Sequence, residues 1–154
     1  MPRVPAPVYV VTVAAGGERS GCLVGFASQC SISPPRFMVW LSVRNHTYRT
    51  AGGATHLAVH VLDRDRCGAA ELFGGETGDQ VDKFARVDRR PSADGSPLLT
   101  EACAWFVGRI ETRIDGGDHV GFLPAPTEVS PPVRTTPALL RYDDVKEIDP
   151  GKPA

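Results

Sequence analysis

Residues 20–48, SGCLVGFASQCSISPPRFMVWLSVRNHTY, decide how the chain is read. Ser20 to Phe26 is an apolar strand, Ala27 to Ser33 is a small, polar loop, and Pro34-Pro35 forms a rigid corner. Arg36 to Ser42 (RFMVWLS) is a second strand, and the loop Val43-Arg44-Asn45-His46 leads into a short helix from Thr47. Polar groups therefore gather at the same end of two neighbouring strands. Ser28, Gln29, Ser31 and Ser33 come from one loop, and Arg44, Asn45, His46 and Thr47 from the other. Hydroxyls, an amide, a guanidinium and a helix N-terminus suit a phosphate-bearing ligand. Serine and asparagine also form ordinary turns, and Asn45 suits a helix cap, so the residues alone leave both readings open.

Outward from this stretch the chain reads as short strands. Pro7 to Ala15 (PVYVVTVAA) is turned by Gly16-Gly17-Glu18-Arg19 into the strand from Ser20, which makes a hairpin. Thr47 to Ala54 is a short helix, and His56 to Leu62 (HLAVHVL) is a strand with Leu57, Val59 and Val61 inward. Asp65 to Phe73 is a helix capped by Asp63 or Asp65 and ended by Gly74-Gly75, and Asp79 to Phe84 forms a further helical turn. Arg86 to Ser96 is polar and broken by Pro91 and Gly95, which suggests an exposed connection. Ala102 to Ile114 is the longest strand signal, with Gly108 placed to let it bulge. Asp115-Gly116-Gly117-Asp118 turns it into a return strand, His119 to Pro124; Thr127 to Thr136 is a loop, and Pro137 to Tyr142 a last strand.

Many strands, tight turns and two or three short helices predict a mainly β fold, a closed antiparallel barrel. The 154 residues, 42% hydrophobic and 23% charged, suit one domain over 1–154, frayed at 1–6 and 149–154. A net charge of -1 gives no electrostatic reason to expect nucleic acid or an anionic membrane as partner. Pro5 and Pro7 interrupt the first apolar run, which favours a strand over a secretory signal. Cys22, Cys30, Cys67 and Cys103 form no CxxC pair, and reduced thiols in a cytoplasmic protein are the expectation.

Several chemistries are excluded or left open by spacing. The chain has neither GxGxxG nor a P-loop, and no serine stands in a GxSxG elbow. His56 and His60 on a strand lie about 13 Å apart, at roughly 3.3 Å per residue, too far to share a metal. They read as a solvent- or loop-facing row, and no metal site is expected. Asp118-His119 either closes a turn or sets an imidazole at a barrel rim, and Lys83 either reaches a phosphate or lies solvated on the surface.

In order and spacing the chain resembles the flavin reductase family of the FMN-binding split barrel, over roughly Pro7 to Tyr142. The resemblance rests on the opening Pro7-Val8 strand with Val11-Thr12, on Gly21, and on Ser31-x-Ser33-Pro34-Pro35. Asn45-x-Thr47, Val61-Leu62, the helix ending in Phe73, Lys83-Phe84, Gly117-Asp118-His119 and Pro137-x-Leu139-Leu140-x-Tyr142 complete it. It implies an antiparallel Greek-key split β-barrel and a homodimer with flavin at the subunit interface. By the same resemblance Leu23, Val24, Gly25 and Phe26 lie along the isoalloxazine ring, and Ser28, Gln29, Cys30 and Ser31 flank the ribityl chain. Arg44, Asn45 and Thr47 lie near phosphate, with Lys83 as a further cofactor contact, and His119 borders the nicotinamide. Many members have Thr-Ala-Asn-Ser where this chain has Leu23-Val24-Gly25-Phe26; backbone contacts survive that change, and side-chain hydrogen bonds to the ring do not.

The implied activity is hydride transfer from NADH or NADPH to FMN, with FAD as the alternative flavin, for delivery to a partner monooxygenase. A flavin-binding electron carrier and a deazaflavin-dependent oxidoreductase or an oxidase on the same fold remain the rivals.

Overall fold

The computed structural model describes residues 6–64, 68–75, 83–86, 88–132 and 139–141. The first hairpin pairs β1 (Tyr9–Ala15) with β2 (Glu18–Val24), and Gly16 and Gly17 turn it with φ of 59° and 78°, a conformation that disfavours any side chain. β3 (Ala27–Ser31) pairs with β4 (Arg36–Ser42), and α1 (His46–Ala51) follows. β5 (His56–Val61), α2 (Gly68–Gly75) and a 3-10 turn at Lys83–Arg86 lead to the small hairpin β6 (Arg89–Pro91) and β7 (Pro97–Leu99). The long ribbon β8 (Ala104–Asp115) and β9 (His119–Val129) comes last.

The main sheet has seven strands in the order β2-β1-β5-β8-β9-β4-β3, and the pairings between neighbours are antiparallel. Its two edge strands, β2 and β3, are separated in the chain only by Gly25 and Phe26. A sheet whose opposite edges are joined by so short a link must curl until they meet. The result is the split barrel, with the Gly25-Phe26 bend at the split; there Trp40 N–H donates to the Phe26 carbonyl at 3.0 Å.

The barrel interior holds Val11, Val13, Val39, Leu41, Leu57, Val59 and Phe122, and Ala51 at the end of α1 and Ala54 just after it pack in. A second core, of Val10, Leu62, Phe84 and Leu99, packs with Ala69, Ala70 and Phe73 of α2. The hairpin β6–β7 lies over a third, where Leu98 meets Ala58 and Val107.

Four features depart from the reading of the sequence. Ala27 to Ser31 is a strand and not a loop: as an outer edge with its middle residues exposed, it carries no hydrophobic alternation to betray it. Residues 88–96, within the expected connection Arg86 to Ser96, are not a plain connection. They form half of the β6–β7 hairpin, whose Ser92 and Ser96 are buried and donate to Asp94. β9 runs on to Val129 because β4 pairs with it only as far as Phe122, leaving an edge on which Pro124 and Pro126 are tolerated. β5 is buried on both faces, since the hairpin covers its outer side; His60 is completely buried, not part of a solvent-facing row.

The predicted bulge at Gly108 is present, with register shifts at Val107/Gly108 and at Ile110/Thr112. Leu139 and Arg141 make isolated bridges to Asp63 and Pro7. The expected frayed ends at 1–5 and 149–154, the start of the helix at Asp65, the turn at 79–82, Cys67, and residues 133–138 and Tyr142 lie outside the described residues.

Candidate functional site

Strand register places the candidate residues. On β4 the residues Met38, Trp40 and Ser42 share one face, and opposite them stand Ser28, Gly121 and His119 respectively. Directly opposed residues of antiparallel strands project to the same side, so Ser28 and His119 belong to one outer face. Trp40 closes the middle of that face: a Cβ on Gly116 or Gly121 would lie 2.5 Å and 2.9 Å from its ring.

Phe26, at the split, reaches across to His119, with ring centroids 4.9 Å apart and planes tilted by 56°. His119 is held from its other side. Asp118 Oδ1 lies 2.6 Å from its Nδ1, and the His119 carbonyl accepts from Gly116 N–H at 2.9 Å. The hydrogen bond from His119, then the charges of His119 and Arg44, hold the Asp118 carboxyl below its ordinary value. With Nδ1 engaged, Nε2 is the ring nitrogen left for a ligand.

The second polar loop is joined to the same turn. Val43 N–H donates to the Asp118 carbonyl at 3.0 Å, which sets the exposed Arg44 beside Asp118. Asn45 caps α1, its Oδ1 accepting from Thr47 N–H at 3.0 Å, and this leaves the amide NH2 as a donor. Next to it His46 Nε2 lies 2.5 Å from Glu18 and its Nδ1 3.3 Å from Arg49. Glu18 and His46 are far apart in sequence, so only the packing of α1 on β2 reveals that pair.

Other expected contacts face elsewhere. Thr47 is completely buried, and its hydroxyl shares a 2.8 Å hydrogen bond with Ser20, so its side chain points away from the loop surface. Cys22 lies next to this pair, its thiol pushed up to about 11 by burial. Lys83 is no surface lysine. It is buried, its Nζ donating to the carbonyls of Phe73 at 3.2 Å and Gly21 at 3.4 Å, with the Phe73 ring beside it. Leu23 and Val24 turn their side chains into the two cores and offer a ligand only backbone. Ser28, Gln29 and Cys30 are exposed on β3, and Gln29 donates to the Ser31 carbonyl.

The donors present fit a flavin. Edge strands β2 and β3 each carry a row of backbone N–H and C=O groups without a sheet partner among the described residues, suited to the polar rim of a flat ring. The Ser28 hydroxyl, the Arg44 guanidinium and the Asn45 amide are the donors suited to a ribityl phosphate. Among the described residues no cluster of metal-ligating side chains occurs, and no helix is long and apolar enough to cross a membrane.

Comparison with known proteins agrees with the geometry. The flavin reductase like domain family matches residues 1–146. HsaB, the reductase subunit of a flavin-dependent monooxygenase from Mycobacterium tuberculosis, is 30% identical over 135 residues, covering 84% of this chain and 71% of HsaB. A Rhizobium meliloti protein named "Probable flavin reductase" is 30% identical over 114 residues, which are 71% of this chain but only 36% of that protein. Among solved structures, the NADH:FAD oxidoreductase SgcE6 of Streptomyces globisporus superposes with a TM-score of 0.76 at 28% identity, covering 83% of this chain and 76% of that one. Fold, edge-strand geometry and sequence thus agree, and the chain belongs to the flavin reductase like domain family.

Proposed function

We propose that the chain is an NAD(P)H-dependent flavin reductase that prefers FMN and passes reduced flavin to a partner monooxygenase. The observation that carries this reading is the contact of Phe26 with His119, which joins the flavin loop to the Gly-Asp-His turn on one surface. The naming of HsaB as a monooxygenase reductase subunit supports the choice of partner.

When bound, flavin supplies the acceptor for the hydride that leaves nicotinamide C4. The chain then binds and orients. Backbone groups of Leu23 to Phe26 hold the ring, and Ser28, Gln29, Cys30 and Ser31 flank the ribityl chain. Arg44 and Asn45 hold the phosphate. Asp118 fixes the His119 ring at Nδ1, leaving Nε2 as the nitrogen that would meet a nicotinamide, and edge N–H groups would stabilise negative charge on a reduced flavin. No acid-base dyad would be needed, because the bound cofactors would supply the reacting atoms themselves. The exposed apolar side chains of Phe26 at the split and of Val43 after β4 support a homodimer that would cover the flavin.

The test is oxidation of NADH and of NADPH by the purified protein with and without added FMN. Oxidation that rises and saturates with FMN is expected. Bound flavin without oxidation overturns the reductase in favour of a carrier.

A further inference from the structure

Trp40 stands in the middle of the outer face that carries Ser28 and His119. Its backbone N–H donates to the Phe26 carbonyl at 3.0 Å, and Gly121 is its partner on β9. It therefore lies between Phe26 and His119, the two residues expected beside the ring systems of the cofactors.

The indole is held in one orientation. A Cβ on Gly116 would lie 2.5 Å from its Cζ3 and 3.1 Å from its Cε3, and a Cβ on Gly121 would lie 2.9 Å from Cζ3 and 3.0 Å from Cη2. The ring thus fills the space that side chains would take at both glycines, and packing this close fixes it. Those three atoms form the benzo edge, remote from Nε1. The N–H edge is turned away from the β8–β9 ribbon. Nε1 donates to no acceptor among the described residues, and none of their buried side-chain nitrogens or oxygens lacks a partner, so solvent reaches this N–H. An indole nitrogen is a donor only, and a partly buried tryptophan usually finds an acceptor for it.

We propose that the Trp40 Nε1–H is a fixed hydrogen-bond donor to bound flavin, serving an acceptor atom of the isoalloxazine ring. This deepens the reductase reading and rests on it. Leu23, Val24, Gly25 and Phe26 offer the ring no side-chain donor, and Trp40 supplies one from the neighbouring strand. The acceptors of that ring system lie on its polar half, and they gain negative charge when the ring is reduced. A hydrogen bond to a charged acceptor is roughly twice as strong as one to a neutral acceptor. Trp40 therefore holds reduced flavin more tightly than oxidised flavin and raises the potential of the bound ring.

The experiment compares the full wild-type chain with Trp40→Phe, which keeps an aromatic ring against the two glycines and removes the N–H. Fluorescence titrations with FMN and with riboflavin are expected to weaken by the same factor, about two- to tenfold, the range of one neutral hydrogen bond. Equilibration of the FMN-loaded proteins with a reference dye is expected to show a lower midpoint potential in Trp40→Phe; a tryptophan that only packs would leave the potential unchanged. In wild type alone, the indole N–H resonance of Trp40, assigned through its contacts with Gly116 and Gly121, is expected to shift on addition of FMN. That of Trp105, which carries Arg90 over its ring, is expected to stay in place.

An unmoved Trp40 resonance, an unchanged flavin affinity or an unchanged potential overturns the hydrogen bond and leaves the reductase reading standing. A loss for FMN that riboflavin does not share moves the N–H to the phosphate and overturns the ring contact. Wild-type protein that binds neither flavin overturns the reductase reading, and this contact with it.

Discussion

His60 and Leu99 are joined in the interior: the Leu99 N–H donates to His60 Nε2 at 3.1 Å, while Nδ1 donates to the Val10 carbonyl at 2.9 Å. The imidazole therefore pins the β6–β7 hairpin to the barrel as a neutral ring, with its tautomer fixed by a donor on one side and an acceptor on the other. Burial pushes its pKa down to about 4 from 6.5. A base with a depressed folded-state pKa is protonated first in the unfolded chain. Its contribution is thus complete above the unfolded value and is lost as pH falls from 6.5 towards 4. Denaturant titration is expected to show wild type losing about 2 kcal/mol between pH 7 and pH 5 from this group. His60→Gln should be less stable at pH 7 and lose much less over the same interval; an equally steep loss would remove His60 as the cause.

That pin also marks the limit of what the sequence reveals. β1, β4 and β8 are legible because Val, Ile, Phe and Trp recur in them, with Gly-Gly turns ending β1 and β8 and Pro34-Pro35 opening β4. His60 reads as polar in a half-buried strand, because the hairpin that buries it contributes Leu99 from far along the chain. The same holds for β3, whose exposed edge needs no apolar residues, and for Lys83, whose carbonyl partners come from β2 and α2. At the candidate site, the polar loops and the Gly-Asp-His turn are visible as separate segments. Their union depends on the sheet curling until Phe26 meets His119, which no local pattern encodes.

Gly108 sits at a close approach of β9 to β8. A Cβ there would lie 2.5 Å from Pro124 Cβ and 3.1–3.2 Å from the backbone of Ala125. Backbone cannot rotate aside as a side chain can, so Gly108→Ala is expected to destabilise by about 1–3 kcal/mol, the usual cost of overpacking. Thermal unfolding checks this, and a melting temperature unchanged from wild type would refute the close approach.

The sequence places Arg44, Asn45 and Thr47 together as expected phosphate contacts, but the Thr47 hydroxyl faces Ser20 in the interior. Arg44→Ala and Asn45→Ala are therefore expected to weaken FMN binding while riboflavin binding changes little, because riboflavin lacks the phosphate. Asn45→Ala should also cost about 1 kcal/mol of stability through the lost helix cap. Thr47→Val should act mainly on stability, by about 1–3 kcal/mol, because it leaves the Ser20 hydroxyl buried without its partner. Parallel fluorescence titrations with the two flavins separate these effects, and equal losses for FMN and riboflavin in Arg44→Ala would sink the phosphate assignment.

His119 and Asp118 divide one task between contact and orientation. If His119 borders the nicotinamide, as proposed above, His119→Ala is expected to raise KM for the dinucleotide, with FMN affinity nearly unchanged. Asp118→Asn keeps the side chain's size but replaces the charged acceptor at 2.6 Å from Nδ1 with an amide, loosening the ring without deleting it. Its KM should rise in the same direction by a smaller factor, and the double variant should match His119→Ala alone, because an orienting residue has nothing to act on once the ring is gone. Additive losses in the double variant would show that Asp118 acts on the ligand independently. An unchanged rate at limiting NADH in His119→Ala would remove the imidazole from nicotinamide binding altogether.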